Sequence, residues 1–323
     1  MARISWLAAV LLLTSLTLVG CGGRGRGPLP PPSETPTPMS TPLPTIPPTE
    51  VPGVEGNPIP FVVVHADAGR AATSAAGDLS AALREESGLE VDVRIVESDR
   101  EAVELLCAAF GGDPAFAWVS APGYSAAMAQ LCGLPVLVSQ QGDATSTNVL
   151  FIGSEDSGIA SLADLDSATF CRVAASDLWT WQAPVLLMMA EGLSPTTVLR
   201  EVVDVADLDT LVRQVAAGDC DAAALRASDY ERIADAEMDE SLVRLETDLE
   251  VPLGVVLTAP ETPLGIRDAV TEALSAIART GEGSAALEAL FGADSFTPPT
   301  DDTLENWDAM IAQTGFDFGG QAN

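Results

Sequence analysis

Apolar residues along this chain fall into short blocks whose spacing switches between two periods. The run Pro60-Phe61-Val62-Val63-Val64 is compact and β-branched, and predicts a buried strand. Residues 91–96 alternate apolar and polar positions like a half-exposed strand, and 115–119 and 135–139 predict two more. Between them the period changes to that of a helix. Residues 73–87 carry Leu79, Ala82 and Leu83 on one face and stop at Gly88, a common helix terminator. A second helix, with Asp99 as its expected cap, carries Val103, Leu106 and Cys107, and a short third one covers 124–130.

The pattern then repeats with new material. Strands are predicted at 149–152, 169–174, 202–203, 222–225 and 254–258. Helices are predicted at 180–191, 208–217, 266–279, 284–290 and 303–314, with a short turn capped by Ser161 at 161–165. Regular alternation of strand and helix implies an α/β fold, each sheet mostly parallel with helices on both faces. Two such lobes, with the chain leaving the first and returning to it, describe a clamshell.

The first sixty residues differ. Arg3 precedes an unbroken apolar run from Trp6 to Leu13, and small residues lead to Leu18-Val19-Gly20-Cys21. The apolar stretch falls short of the ~20 residues a membrane span needs, and the arrangement reads as an export signal over 1–20. Its ending resembles a bacterial lipobox, in which the cysteine receives lipid and becomes the first mature residue. Cys21 is then the expected lipidation site, which makes the mature chain an extracytoplasmic lipoprotein anchored to a membrane. Residues 21–59 lack apolar periodicity and are dominated by Pro, Thr and Ser, the composition of an extended, disordered stalk.

Charge and cysteine content narrow the function. A net charge of -32 excludes a general nucleic-acid-binding surface, because phosphates are repelled. All 15 basic residues are arginine. Four cysteines follow Cys21, namely Cys107, Cys132, Cys171 and Cys220; an even number in an exported chain argues for two disulfides, with three possible pairings. The chain has one histidine, His65, and no C-x-x-C, so neither a metal site nor a cofactor is expected. No G-x-S-x-G, Walker A or H-E-x-x-H motif occurs, and no enzymatic activity is expected.

Four segments carry a family resemblance. They are AFAWVSAPGYS at 115–125, SGIASLADL at 157–165, LVRQVAAGDCDA at 211–222, and ALEALFG at 286–292 followed by Phe296 and Pro298. In this order they resemble the phosphate/phosphite/phosphonate-binding proteins of ABC importers. The resemblance spans about 60–315 and implies a type II periplasmic-binding-protein fold, with lobe 1 formed by 60–142 and 255–315 and lobe 2 by 146–250. It implies the cysteine pairing as well. Cys107 and Cys132 fall in lobe 1, and Cys171 and Cys220 in lobe 2; a bond between lobes would block hinge closure, so each pair closes within its lobe. The implied activity is capture of a small solute in the inter-lobe cleft by a monomer that serves an ABC permease. A ligand-responsive sensor or interaction module on the same fold, with no transport role, is the alternative.

Ligands of two-lobed α/β binders sit against loops at the carboxyl ends of strands. Four loops qualify. The first, 66–74, offers Asp67 and Thr73. The second, 120–125, offers Ser120 and Tyr124, the latter matching the family's tyrosine, at a helix N-terminus suited to anions. The third is the segment where the family carries Ser-Thr-Ser-Gly. Here it reads Ser176-Asp177-Leu178-Trp179-Thr180-Trp181, so hydroxyls give way to a carboxylate and indoles. This substitution argues against phosphonates and for a solute with a flat or cationic portion stacked on Trp179 and Trp181. The fourth loop begins at Arg226, placed to meet a ligand carboxylate or phosphate, or to bridge to Asp229.

Overall fold

Val62 and Val63 are both fully buried, on opposite faces of one strand, because successive side chains of a strand point to opposite sides. That strand is β1 (Ile59–Val64), in the interior of the first of two sheets. The computed structural model describes residues 51–65, 69–109 and 111–318, which form one compact unit. Residues 1–50, including the export signal, Cys21 and most of the stalk, lie outside the described residues, as does Asp67.

After β1 come α1 (Arg70–Ser87), β2 (Val91–Val96), α2 (Asp99–Ala108), β3 (Phe116–Val119), α3 (Ala121–Ala129) and β4 (Leu134–Gln140). The chain then crosses to β5 (Ser146–Ser154), β6 (Thr169–Arg172), a π-helical turn (Leu178–Gln182) and α4 (Ala183–Ala190). There follow α5 (Pro195–Val198), β7 (Glu201–Asp204), α6 (Leu208–Ala216), β8 (Ala222–Arg226), α7 (Ala227–Ile233), α8 (Ala236–Glu240) and β9 (Leu242–Pro252). It returns through β10 (Val255–Thr258), α9 (Leu264–Ile277), α10 (Gly281–Phe291), β11 (Ser295–Thr297) and α11 (Asp301–Thr314).

The first sheet has the order β11-β4-β10-β3-β1-β2, with β10 antiparallel to both neighbours. The second has the order β7-β6-β8-β5-β9, with β5 antiparallel to β8 and β9. Helices flank both sheets, as the alternating pattern predicts, but the sheets are mixed rather than mostly parallel, because the strands on either side of the two chain crossings, and β11, run antiparallel to their neighbours. One apolar cluster fills the outer face of the first sheet, around Phe61, Leu79, Leu83, Leu274 and Phe291. Another lies on the second sheet around Ile152, Leu211, Val215 and Leu225. A third runs from one sheet to the other, from Val62 and Tyr124 to Phe151, Phe170 and Leu186, with Leu304 and Trp307 of α11 inside it.

The two disulfides are Cys107–Cys132 and Cys171–Cys220, with Cα atoms 4.9 and 5.9 Å apart, each within the span of one sheet. Two chain crossings join the halves side by side. The Leu253 N–H donates to the Thr145 carbonyl at 3.0 Å, and the Ser139 N–H donates to the Gly254 carbonyl at 2.9 Å. Gly254 is required here by space: a Cβ at this position would come within 2.4 Å of the Trp118 ring.

Several details depart from the sequence expectations. β9 was not predicted, because its exposed positions carry Arg244, Glu246, Asp248 and Glu250 and leave few apolar positions to mark a strand. Residues 51–58, expected as the end of the stalk, fold onto the first sheet: the Gly53 carbonyl accepts from the Glu90 N–H at 2.9 Å. The cap of α2 is Ser98, which accepts from the Glu101 N–H, and not Asp99. The sequence groups 301–314 with the first lobe, whereas α11 packs on β9 and α4 as well as on α3. Among the described residues no helix is long and apolar enough to cross a membrane.

Candidate functional site

The loop after β6 closes on itself around one carboxylate. Asp177 Oδ1 accepts from the Trp179 N–H at 3.1 Å, the Thr180 N–H at 2.7 Å and the Thr180 hydroxyl at 2.8 Å. Thr180 is fully buried, and its Oγ1 also accepts from the Val173 N–H at 3.1 Å, which ties the loop back to the end of β6. Asp177 is therefore the N-cap of the π-helical turn. The wide turn has a local cause. Pro184 has no N–H for the carbonyl of Thr180, and its ring would crowd that carbonyl in a regular α-helix. The helix loosens instead, with Gln182 and Ala183 donating to Asp177 and Leu178, five residues back.

The two indoles project from this turn, both half-buried and packed against the central apolar cluster. Each is covered by a guanidinium. Arg226 lies over Trp179 and Arg172 over Trp181, each 4.4 Å from the ring centroid. Trp181 also meets the Phe170 ring at 6.0 Å, and Arg172 donates to Asp204 at 2.7 Å. The indoles expected as an aromatic wall thus pack partly on the core and each carries a guanidinium over its ring, so a cation approaching on that side would meet like charge.

Arg226 does not bridge to Asp229, which pairs with Arg232 at 3.2 Å. Its Nε is sealed from solvent and has no hydrogen-bond partner. A buried polar group left unpaired costs about 1–3 kcal/mol. Burial holds the Arg226 pKa below its ordinary value, only partly offset by the charges of Asp229 and Asp177.

On the first sheet, the N-terminus of α3 is occupied in a similar way. The Ser120 N–H and hydroxyl both donate to the Asp99 carboxylate, at 2.9 and 2.5 Å. Gly123 in the next turn leaves the room: a Cβ there would lie 2.3 Å from Asp99 Oδ1. Asp99 is half-buried, and loss of solvation raises its pKa against the two hydrogen bonds from Ser120. Tyr124 is 4% exposed, and its hydroxyl donates to Asp308 of α11 at 3.0 Å. Burial, then the neighbouring Asp308 charge and hydrogen bond, push the phenol well above its ordinary range. One residue on, the Trp307 indole N–H donates to Ser125 at 2.7 Å.

The structure therefore brings Asp177, Trp179, Thr180, Trp181 and Arg226 together around the ends of β6 and β8, and Ser120 and Tyr124 together at the start of α3. Ser176 is exposed beside the first group, and Thr73 is exposed in α1, its hydroxyl donating to the Gly69 carbonyl at 3.1 Å. Asp99, Arg172 and Asp308 were not anticipated. Arg172 sits at the last position of its strand, a signal that could have marked it; the other two act across long sequence separations. Cavities of about 680 and 790 Å³ lie elsewhere, against α1 and α9 and between β9, α4 and α11, and these loops line neither of them.

The segment that contains both loop groups, residues 61–304, matches the sequence model of a family described as "ABC transporter, phosphonate, periplasmic substrate-binding protein". The chain belongs to this family. Its members are extracytoplasmic solute-binding proteins of ABC transporters. Among solved structures, XAC2383 from Xanthomonas citri, bound to chloride ion, is similar with a TM-score of 0.64 and 16% identity, over 80% of this chain and 97% of that one. A binding-protein component of an ABC phosphonate transporter from Pseudomonas aeruginosa follows at 0.55 and 15%, over 80% and 86%. PhnD1 from Prochlorococcus marinus, in complex with methylphosphonate, has a TM-score of 0.54 and 12% identity, over 80% and 98%. At these identities the likeness establishes the two-lobed periplasmic-binding-protein fold. No curated protein matches the chain by sequence.

Proposed function

We propose that this chain is a lipid-anchored receptor that captures a small solute between its lobes, as a monomer, and delivers it to an ABC permease, and that the solute is not a phosphonate. The observation that carries the second half is the capping of the turn after β6. An anion at that helix end would need the N–H groups of Trp179 and Thr180, and Asp177 already holds both. A helix N-terminus favours an anion by about 0.3–2 kcal/mol. Two like unit charges ~4 Å apart repel by about 4 kcal/mol at an effective dielectric of about 20. Repulsion is the larger effect, and a doubly charged phosphonate feels it twice.

The first half is supported by family membership and by the N-terminal sequence. Arg3, the apolar run and Leu18-Val19-Gly20-Cys21 make an export signal that ends at a lipid acceptor. Mass spectrometry of the membrane-bound protein tests it, with an acylated N-terminal peptide beginning at Cys21 as the expected result. Titration with phosphate, phosphite and methylphosphonate, followed by tryptophan fluorescence and calorimetry, tests the ligand statement. Silence is expected, and micromolar binding of any of the three overturns it.

A further inference from the structure

Arg226 differs from the other arginines of this acidic chain. Nine arginines have a carboxylate oxygen within 4.0 Å: Arg84, Arg94, Arg100, Arg172, Arg200, Arg213, Arg232, Arg244 and Arg267. Arg70 and Arg279 are unmatched by these pairs but exposed. Arg226 alone among the described arginines is half-buried with no carboxylate at that distance, in a chain with 47 acidic residues. The two acids nearest in charge are engaged elsewhere, Asp229 with Arg232 and Asp177 with its own turn. The guanidinium rests on Trp179 with Nε turned into the protein. Its two terminal nitrogens are neither sealed nor bonded within the described residues, and they sit at the carboxyl end of β8, where ligands of this fold class are held.

We infer that the solute is a small monocarboxylate whose carboxylate seats on the terminal nitrogens of Arg226, with Trp179 as the floor that fixes the guanidinium. The inference rests on the reading of the chain as a solute receptor and names the class of its solute. Shape and charge both lead there. The planar guanidinium presents parallel N–H groups that match the two oxygens of a carboxylate. The end of β8 offers one guanidinium with no carboxylate within 4.0 Å among the described residues, so one negative charge balances it. A dianion would leave a second negative charge beside Asp177 and Asp229. A cation would meet Arg226 itself, since both indoles are already covered by guanidinium groups.

The test is a thermal-shift and calorimetric panel on the mature chain at matched concentration and constant ionic strength. Propionate and benzoate are the carboxylate probes; methylphosphonate, choline and galactose are the comparisons. The carboxylates are expected to raise the unfolding midpoint and to compete with one another. Arg226→Gln should weaken them at least tenfold, and Arg226→Lys, which keeps the charge but loses the fork, should fall between. Arg226→Lys also stands as the test if the glutamine variant fails to fold. A carboxylate response that is absent, or unchanged in both variants, overturns the inference. If choline or galactose alone stabilises the protein, the ligand class is wrong and the receptor reading stands. If methylphosphonate alone stabilises it, the ligand class and the exclusion of phosphonates are wrong and the receptor reading stands; if nothing in the panel does, the inference fails.

Discussion

Asp177 and Thr180 are joined by two hydrogen bonds to one carboxylate oxygen, from the Thr180 N–H at 2.7 Å and from its hydroxyl at 2.8 Å. A residue type that would ordinarily be read as lining a ligand pocket is here a structural cap, and it takes up the N–H groups that the proposed exclusion of phosphonates turns on. Asp177→Ala should destabilise the protein by about 1–2 kcal/mol through loss of the cap, measured by denaturant unfolding. Asp177→Ser keeps a capping hydroxyl and removes the charge. It should lose less stability and gain a measurable methylphosphonate response that the parent lacks. Equal silence from parent and serine variant would show that the carboxylate is not what rejects phosphonates.

The indoles separate by role. Trp181 packs on Phe170 and under Arg172, which is itself held by Asp204. Trp181→Ala is expected to lower stability by about 3 kcal/mol, as large-to-small changes in packed regions do, while the benzoate response changes little. Trp179→Ala removes the floor under Arg226 and should weaken benzoate severalfold. Paired unfolding curves and titrations of the two variants check this, and the reverse pattern would exchange the assignments.

Asp99 links stability to pH. Its pKa in the folded protein is raised above its ordinary value of 3.8, chiefly by burial. Between that value and the raised one the folded state binds more protons than the unfolded state, so this group lowers stability as pH rises through the window. Asp99→Asn abolishes the titration and keeps polar partners for Ser120. The stability of the variant relative to the parent should therefore increase with pH from about 3.8 upward, and level off above the folded pKa. Unfolding midpoints of both proteins across that range measure the difference; a difference that stays flat refutes the assignment.

The disulfides close loops of 25 and 49 residues. In the chain-entropy account these stabilise by about 3.5 and about 4 kcal/mol. The double variant Cys171→Ser/Cys220→Ser should thus lose slightly more stability than Cys107→Ser/Cys132→Ser, as read by equilibrium unfolding. Peptide mapping without reduction should recover the two pairs, and cross-linked peptides in any other pairing would contradict the structure.

Much of this architecture is legible in the sequence because it is local. The run 60–64, the alternation at 91–96 and the glycine after 87 specify strand, strand and helix end with little help from the rest of the chain. Asp177 was nearly legible as well, since a carboxylate three residues before a helical Thr is the spacing of an N-cap. β9 was not, because an edge strand with Arg244, Glu246, Asp248 and Glu250 on its open side has too few apolar positions to declare itself. What tertiary structure alone decided are the contacts between residues far apart in the chain. Asp99 meets Ser120 only when β3 lies in its sheet beside β1, and Tyr124 meets Asp308 only when the last helix folds back across both halves. The same holds for Arg226, whose residue type was visible but whose lack of a carboxylate within 4.0 Å among the described residues was not. Periodicity determines which face of an element is buried; which charges end up neighbours, and which one is left without a partner, depends on how the buried faces close together.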